Sequence, residues 1–199
     1  MQKGLLDSIK EAEKIMNKVD DSFHGGLEHA RKVVYISQQI LASEPKANAD
    51  VVVVSAWWHD TGRIIGNEEH EKRSALMASE DLENRGIDRI FCRQVYLAIA
   101  HHRYDMHPVT LEGTIIRDAD KLALLDPKRW QNAIDDKAYH KFEHTINILP
   151  TLKNDVLRLK SSKDLYDKLL PEFLSYIRNI NETDFMLQKQ EILSLKLSN

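Results

Sequence analysis

The sequence has little cysteine, little aromatic content and no marked excess of charge of either sign. Cys92 is the single cysteine among 199 residues, which excludes an intrachain disulfide and a cysteine-based zinc site. A lone cysteine suits a reducing compartment, so we expect a cytoplasmic protein. The net charge of −3 gives no general attraction to nucleic acid. An anionic substrate would therefore need local cations or a metal ion.

The sequence also lacks a stretch that could cross a membrane. The apolar run 51–58 is too short to span a bilayer, and it ends in a histidine and an aspartate. Charged residues enter the N-terminal segment too early for a secretory signal. We expect no membrane contact, and the length is most simply that of one domain over residues 1–199.

Apolar residues recur mostly at helical spacing, which predicts an all-α fold. One stripe includes Leu5, Ile9 and Met16, and a second helix is expected over 27–43. The four valines of the run 51–58 favour a strand, although a buried helix is equally compatible with a continuous apolar run. We predict a helix there, because no other segment clearly alternates and a lone strand would have no partner.

The remaining pattern predicts helices to the end of the chain. They are expected over 70–85 (closed by Gly86), 88–103, 111–125, a short helix that starts at Pro127, 139–149, 152–159, 165–179 and 185–197. Pro171 should kink or split the helix over 165–179. Residues equipped for chemistry become scarce after Asp120, so the last seventy or so residues are interpreted as packing or interaction helices.

The pair His59-Asp60 follows the apolar run directly and precedes Thr61-Gly62. Neighbouring side chains on a helix point about 100° apart, so both can bind one ion only near a helix end. His29 and Asp120 are the best further ligands, because each lies in an apolar stripe where an unpaired polar group is costly. Taken singly, His29 could instead be a satisfied core histidine, and Asp120 a salt-bridged or capping residue.

These residues occur in a recognisable order. The segments His29-Ala-Arg-Lys-Val33, His59-Asp60 and Asp118-Ala-Asp120-Lys-Leu resemble the HD-domain superfamily of metal-dependent phosphohydrolases, over about residues 23–125. The resemblance implies an all-helical HD-domain bundle, here with a C-terminal helical extension over about 126–199. It also implies one divalent transition metal (Mn, Fe, Co, Ni, Zn or Mg) held by His29, His59, Asp60 and Asp120.

A second ion is possible, because some HD-type proteins place two further histidines between the His-Asp pair and the last aspartate. Here His70 and His101 or His102 could take that place. Alternatively, His70-Glu71 resembles a His-Glu that lines the substrate pocket of small mononuclear relatives. The Gly-Tyr-Pro signature of the cyclic-dinucleotide phosphodiesterases is absent, which argues against that subgroup.

The resemblance implies a metal-dependent phosphohydrolase for a small phosphorylated substrate, with a nucleotide as the favoured class. We expect Arg63 and Lys121 to meet the phosphoryl charge, and His70 or Glu71 to move protons or to orient water. Further substrate contacts are expected from Arg73, His102, Arg103 and Asp118, although a solvated surface charge is the favoured interpretation of Arg73.

Three alternatives remain open from the sequence. The first is a binuclear iron oxygenase on the same scaffold, and the second is a non-catalytic, metal-stabilised binding or regulatory module that uses the C-terminal helices. The third is that the order of residues is chance and the histidines are core residues. A homodimer is compatible with every one of these readings.

Overall fold

A computed structural model describes residues 1–19, 26–139, 142–195 and 197. Phe23 and His24, near the expected start of the metal-binding core, lie outside these residues. Within the described residues there are ten α-helices and no strand, which confirms the predicted all-α fold. The helices are α1 Lys3–Met16, α2 Gly26–Leu41, α3 Ala49–Trp58, α4 His70–Asn84, α5 Arg89–Ala100, α6 Leu111–Leu122, α7 Pro127–Asp135, α8 Phe142–Thr151, α9 Lys160–Asn179 and α10 Met186–Ser194. No helix of the described chain is both long and apolar enough to cross a membrane.

Several helices begin or end at residues that favour helix ends. The side chains of Asn48, Asp88 and Thr110 accept backbone N–H groups at the first turns of α3, α5 and α6. Gly86 follows α4 with φ +73°, a left-handed conformation that favours glycine, and Ile87 N donates to Leu82 O across the helix end. These caps set the directions in which the helices enter the core.

Helix α3 runs through the middle of the core. Val52 and Ala56 pack in a cluster with residues of α2 and α6, whereas Val51, Val54 and Trp58 pack in a second cluster with residues of α1, α4 and α5. A helix buried on all sides needs apolar residues around its whole circumference, which explains the continuous run that also resembled a strand. The predicted helix is confirmed.

The C-terminal helices share a core with α2 and α6. Its centre is Trp130 of α7, whose ring stacks on Phe142 at a centroid distance of 4.7 Å and meets Phe173 at 5.4 Å. Arg117 of α6 also reaches this region and donates to Val156 O at 2.6 Å. The extension is therefore fixed directly to the helix that carries Asp120.

Two predictions about the extension are wrong. The segment 152–159 does not continue as a helix: it forms a π-helical turn over Leu152–Val156 and then becomes extended. The carboxylate of Asp118 accepts the N–H groups of residues 158 and 159 and so holds them out of helical geometry. Helix α9 starts earlier than expected, at Lys160, and continues through Pro171, so it is not split there, whereas the kink stays a prediction. Leu165 precedes the proline and Phe173 follows it, and both residues are buried.

Candidate metal centre

His59 and Asp60 lie where α3 ends. His59 keeps helical angles (φ −54°, ψ −35°), whereas Asp60 leaves the helix with φ −112° and ψ 6°. The change of direction brings both side chains towards the same buried site. The sequence predicts this location at a helix end, and the structure agrees.

Gly62 fixes the turn that follows the pair. Its N–H donates to Ser74 Oγ at 2.8 Å, which joins the turn to α4. A Cβ at this position would overlap the carbonyl oxygen of His70 and lie 2.8 Å from Ser74 N. The absence of a side chain therefore lets α4 approach closely, and α4 carries His70 to the site.

The four predicted ligands converge. His29 Nε2 lies 3.2 Å from Asp120 Oδ1, 3.3 Å from His59 Nε2 and 3.7 Å from Asp60 Oδ2. These side chains come from α2, α6 and the end of α3. His29, His59 and Asp120 have ligand atoms close enough together to hold one metal ion. Imidazole nitrogens with carboxylate oxygens form a donor set suited to a divalent transition ion.

Three histidines of the site are oriented by backbone carbonyl groups. Nδ1 of His59 lies 2.8 Å from Ala56 O, Nδ1 of His70 lies 2.9 Å from Asn67 O, and Nδ1 of His102 lies 2.8 Å from Ile99 O. A carbonyl oxygen only accepts, so each Nδ1 is the donor and each neutral ring has its lone pair on Nε2. This arrangement is the usual support of a histidine that binds a metal through Nε2.

Asp60 Oδ1 faces a second group of nitrogen atoms. Nε2 of His70 lies 3.1 Å from this oxygen, and Nε2 of His102 lies 3.5 Å from it. Among the described residues, Oδ1 accepts no hydrogen bond although it is buried. A cation of the chain already lies against one of these nitrogens, because Arg63 Nη2 is 3.2 Å from His70 Nε2. In the part of the chain that the structure describes, a second group close enough together to hold a metal ion is formed by ligand atoms of His59, Asp60 and His102, and it does not include His70.

His101, one of the histidines predicted for a second metal, does not join this group. Helix α5 ends at Ala100, three residues before the predicted end, and His101 adopts φ −124°. Its Nδ1 lies 3.4 Å from Leu97 O. His102 is buried at the site instead, so of the two alternatives the structure brings His102 to Asp60.

The electrostatics of the centre favour ionised carboxylates and a neutral imidazole. Burial would raise the pKa of Asp60, but Arg63, with Nε 2.7 Å from Oδ2, and then His59 hold this pKa well below the usual value. For Asp120, burial is outweighed by Lys121, whose Nζ lies 2.5 Å from Oδ2. Burial lowers the pKa of His59 to about 4. At neutral pH these groups present two negative charges and an imidazole lone pair.

A cavity of about 330 Å³ opens beside the centre. Asp120, His70 and His102 contribute to its wall, together with cations from four different parts of the chain: Arg63, Arg103, Lys121 and Arg129. The predicted phosphoryl-binding residues Arg63 and Lys121 and the predicted substrate-binding residues His102 and Arg103 therefore lie at the cavity.

Three other predicted residues do not line this cavity. Asp118 is fully buried, and its carboxylate accepts Leu159 N at 2.9 Å, so the predicted substrate contact is replaced by a structural one. Arg73 donates to Gly66 O at 2.6 Å and holds the loop before α4. Glu71 is buried with Oε2 3.5 Å from His70 Nδ1. In the described chain, this oxygen has no hydrogen-bond partner, because His70 Nδ1 donates to Asn67 O.

The cavity residues contributed by the C-terminal helices were not predicted from the sequence pattern. Arg129 of α7 and Thr145 and Ile148 of α8 also line the cavity. They follow the last predicted ligand by nine residues or more, in helices that we interpreted as packing elements. The α7 start at Asp126-Pro127 is readable from sequence, but the face that Arg129 occupies depends on how α7 packs.

Comparison with known families agrees with this geometry. The model of the HD domain matches residues 26–125, about half of the chain, and the match includes all four predicted ligands. The chain belongs to the HD-domain family. A similar solved structure is that of a predicted HD superfamily hydrolase from an uncultured Thermotogales bacterium, with 22% sequence identity and a TM-score of 0.60. The likeness covers 92% of this HD-domain chain and 90% of the other, so the shared fold extends beyond residue 125. No curated protein is similar enough in sequence to match.

Proposed function

We propose that this HD-domain protein is a metal-dependent phosphohydrolase that acts on a small phosphorylated compound. The observation that carries the proposal is the buried convergence of His29, His59, Asp60 and Asp120 beside a cavity lined by cations. A ligand cluster alone would also suit a structural metal. A cationic cavity at its edge suits an anionic substrate that is presented to the metal.

His29, His59, Asp60 and Asp120 would hold the first divalent ion. Such an ion, when bound, lowers the pKa of water and polarises a phosphoryl oxygen. Neighbouring groups keep the ligands in place: the backbone carbonyl of Ala56 orients His59, and the side chains of Arg63 and Lys121 hold the carboxylates of Asp60 and Asp120. Replacement of Arg63 or Lys121 should lower metal affinity even though neither is a ligand.

We further propose that Asp60 Oδ1, His70 and His102 hold a second ion. The support is the buried Oδ1 with two facing Nε2 atoms, both on rings oriented by carbonyl groups. His70 then has the role of a ligand in place of a proton carrier, and Asn67 O orients its ring. A stoichiometry of one ion in protein saturated with metal would reject this part of the proposal and leave the first site intact.

The cations of the cavity are suited to a phosphoryl group. Arg63 and Lys121 lie at the base beside the ligand carboxylates, and Arg103 lies nearer the rim, paired with Asp105 at 2.6 Å. Positive charge fixed in a partly closed site stabilises the charge that develops on the phosphoryl oxygens.

The size of the cavity argues for a small substrate. Its volume of about 330 Å³ is at the low end for small-molecule sites. Tyr104, Leu124 and Ile148 give part of the wall an apolar character that a nucleobase could contact. Nucleotides are therefore the first class to test, ahead of long polyanions.

The test is phosphate or pyrophosphate release from nucleoside mono-, di- and triphosphates and from simple phosphomonoesters. Each compound is assayed with Mn²⁺, Co²⁺, Ni²⁺, Mg²⁺ and Fe²⁺. We expect turnover with at least one ion in wild type, and its loss in Asp120→Ala. The matched control, Arg178→Gln, changes an exposed charge on α9 and should keep full activity. Absence of turnover with every ion, in folded protein that contains metal, would refute the proposal.

The second ligand group also suits the alternative of a binuclear iron oxygenase. Redox-inert ions separate the two functions, because a hydrolase needs no dioxygen. Release of phosphate with Mg²⁺ under anaerobic conditions supports the hydrolase. Consumption of dioxygen by the iron-loaded protein, without hydrolysis under any condition, would favour the oxygenase.

A further inference from the structure

Arg129 lies at the boundary between two cavities. It contributes to the wall of the cavity beside Asp120, His70 and His102, and also to a second cavity of about 290 Å³ lined by His29 and Tyr35. A single side chain of α7 thus reaches both sides of the region in which the predicted ligands converge. Helix α7 starts after residue 125, where the HD-domain match ends.

The guanidinium of Arg129 is a cation that interacts with the ligand carboxylates. Burial lowers the pKa of Arg129 to about 10, whereas the charges of Asp120 and Asp60 act in the opposite direction. The guanidinium therefore stays protonated at neutral pH. Asp120 and Asp60 are the two carboxylates that a bound metal ion would neutralise, so metal binding should weaken their hold on Arg129.

Three other cations of the 330 Å³ cavity lie beside a carboxylate. Arg63 Nε lies 2.7 Å from Asp60, and Lys121 Nζ lies 2.5 Å from Asp120. Both cations thus orient metal ligands. Arg103 is paired with Asp105 near solvent. Arg129 is attracted by Asp120 and Asp60 too, but it reaches the cavity from α7 and also lines the second cavity.

We propose that Arg129 anchors an anionic group of the substrate, a phosphate or a phosphate-like oxyanion, at the wall between the two cavities. The proposal rests on the proposed function for the identity of the substrate, but its test does not. A guanidinium can donate two parallel hydrogen bonds to a phosphate, which an ammonium group cannot reproduce. The anion should bind well only after the metal is in place, because the ligand carboxylates otherwise compete for Arg129.

The experiment measures binding of inorganic phosphate and of pyrophosphate by calorimetry, with and without Mn²⁺. The proteins are wild type, Arg129→Gln, Arg129→Lys and the control Arg178→Gln. With metal bound, Arg129→Gln should raise the Kd by about 10- to 100-fold, the range expected for loss of a charged hydrogen-bond donor. Arg129→Lys should have an intermediate Kd, and Arg178→Gln should bind as wild type does. Without metal, the four proteins should bind phosphate equally weakly.

Metal content and Tm are measured on the same samples, so that a folding defect is separated from a binding defect. Equal phosphate affinity of metal-loaded Arg129→Gln and wild type would overturn the proposal. If Arg129→Gln does not fold, the phosphate affinity of metal-loaded Arg129→Lys is the test. An affinity of Arg129→Lys equal to that of wild type would then overturn the proposal. Absence of turnover in wild type would count against the proposed function, whereas the phosphate measurement still tests Arg129. Where turnover is found, Arg129→Gln should raise KM more than it lowers kcat.

Discussion

Asp118 and Asp120 are separated by one residue on α6 and have opposite roles in this structure. Asp120 faces His29, whereas Asp118 accepts N–H groups of the segment that precedes α9. Replacement of Asp118 by alanine should therefore lower stability and leave the metal centre in place. The sequence predicted a substrate contact for this aspartate, so the variant separates the two interpretations.

The magnitude follows from the groups that would lose a partner. Arg158 N at 3.0 Å and Leu159 N at 2.9 Å would each lose a charged acceptor, and Arg117 would lose a carboxylate at 3.8 Å. Burial raises the pKa of Asp118, so part of the attraction offsets desolvation. Breaking such a buried set typically costs about 3–5 kcal/mol. For a chain of this length, that corresponds to a fall in Tm of about 10 °C.

The assay combines urea unfolding, calorimetric Tm and metal content for Asp118→Ala and Asp120→Ala. We expect Asp118→Ala to lose stability and to keep wild-type metal content, and Asp120→Ala to lose metal. Unchanged Tm in Asp118→Ala, together with a fall in metal content or in turnover, would refute the structural role.

Further perturbations address the turn, the pH response and the extension. Gly62→Ala should cost about 1–3 kcal/mol and lower metal affinity, because its Cβ would overlap the His70 carbonyl; unchanged Tm and metal content would contradict this. In metal-free protein, the lowered pKa of His59 (about 4, against 6.5) contributes stability that is fully present above pH 6.5 and is lost as the pH falls to about 4. That loss is about 3 kcal/mol, so the free energy of unfolding in urea should be lower at pH 4.5 than at pH 7.5. Equal values at the two pH values would contradict the lowered pKa of His59. Trp130→Ala should lower the free energy of unfolding by about 3–5 kcal/mol, because it removes the ring that stacks on Phe142. An unfolding curve identical to that of wild type would show that the aromatic cluster does not stabilise the fold.

The fold class and the predicted ligands could be obtained from sequence because they depend on local pattern. The apolar run that ends in His59-Asp60 and the glycine at residue 62 together place two polar side chains at a helix end. His29 and Asp120 could be selected because a polar residue within an apolar stripe needs a partner. Helical periodicity thus carries information about which side chains face the interior.

Other features depend on contacts between distant parts of the chain. Whether His101 or His102 faces Asp60 depends on the residue at which α5 ends, and the sequence pattern continues past that residue. The extended segment before α9 is held by a carboxylate 40 residues away, which no local pattern reveals. Arg129 reaches the cavity only because α7 packs through Trp130 against α8 and α9.

The most direct test of the account is the metal content of purified wild type, His29→Ala and Asp120→Ala, measured by elemental analysis after loading with Mn²⁺ and exhaustive dialysis. The account predicts at least one tightly bound ion per wild-type chain and a loss of that ion in both variants, each of which remains folded. Equal metal content in all three proteins, or no metal in folded wild type, would contradict the assignment of the centre to His29, His59, Asp60 and Asp120.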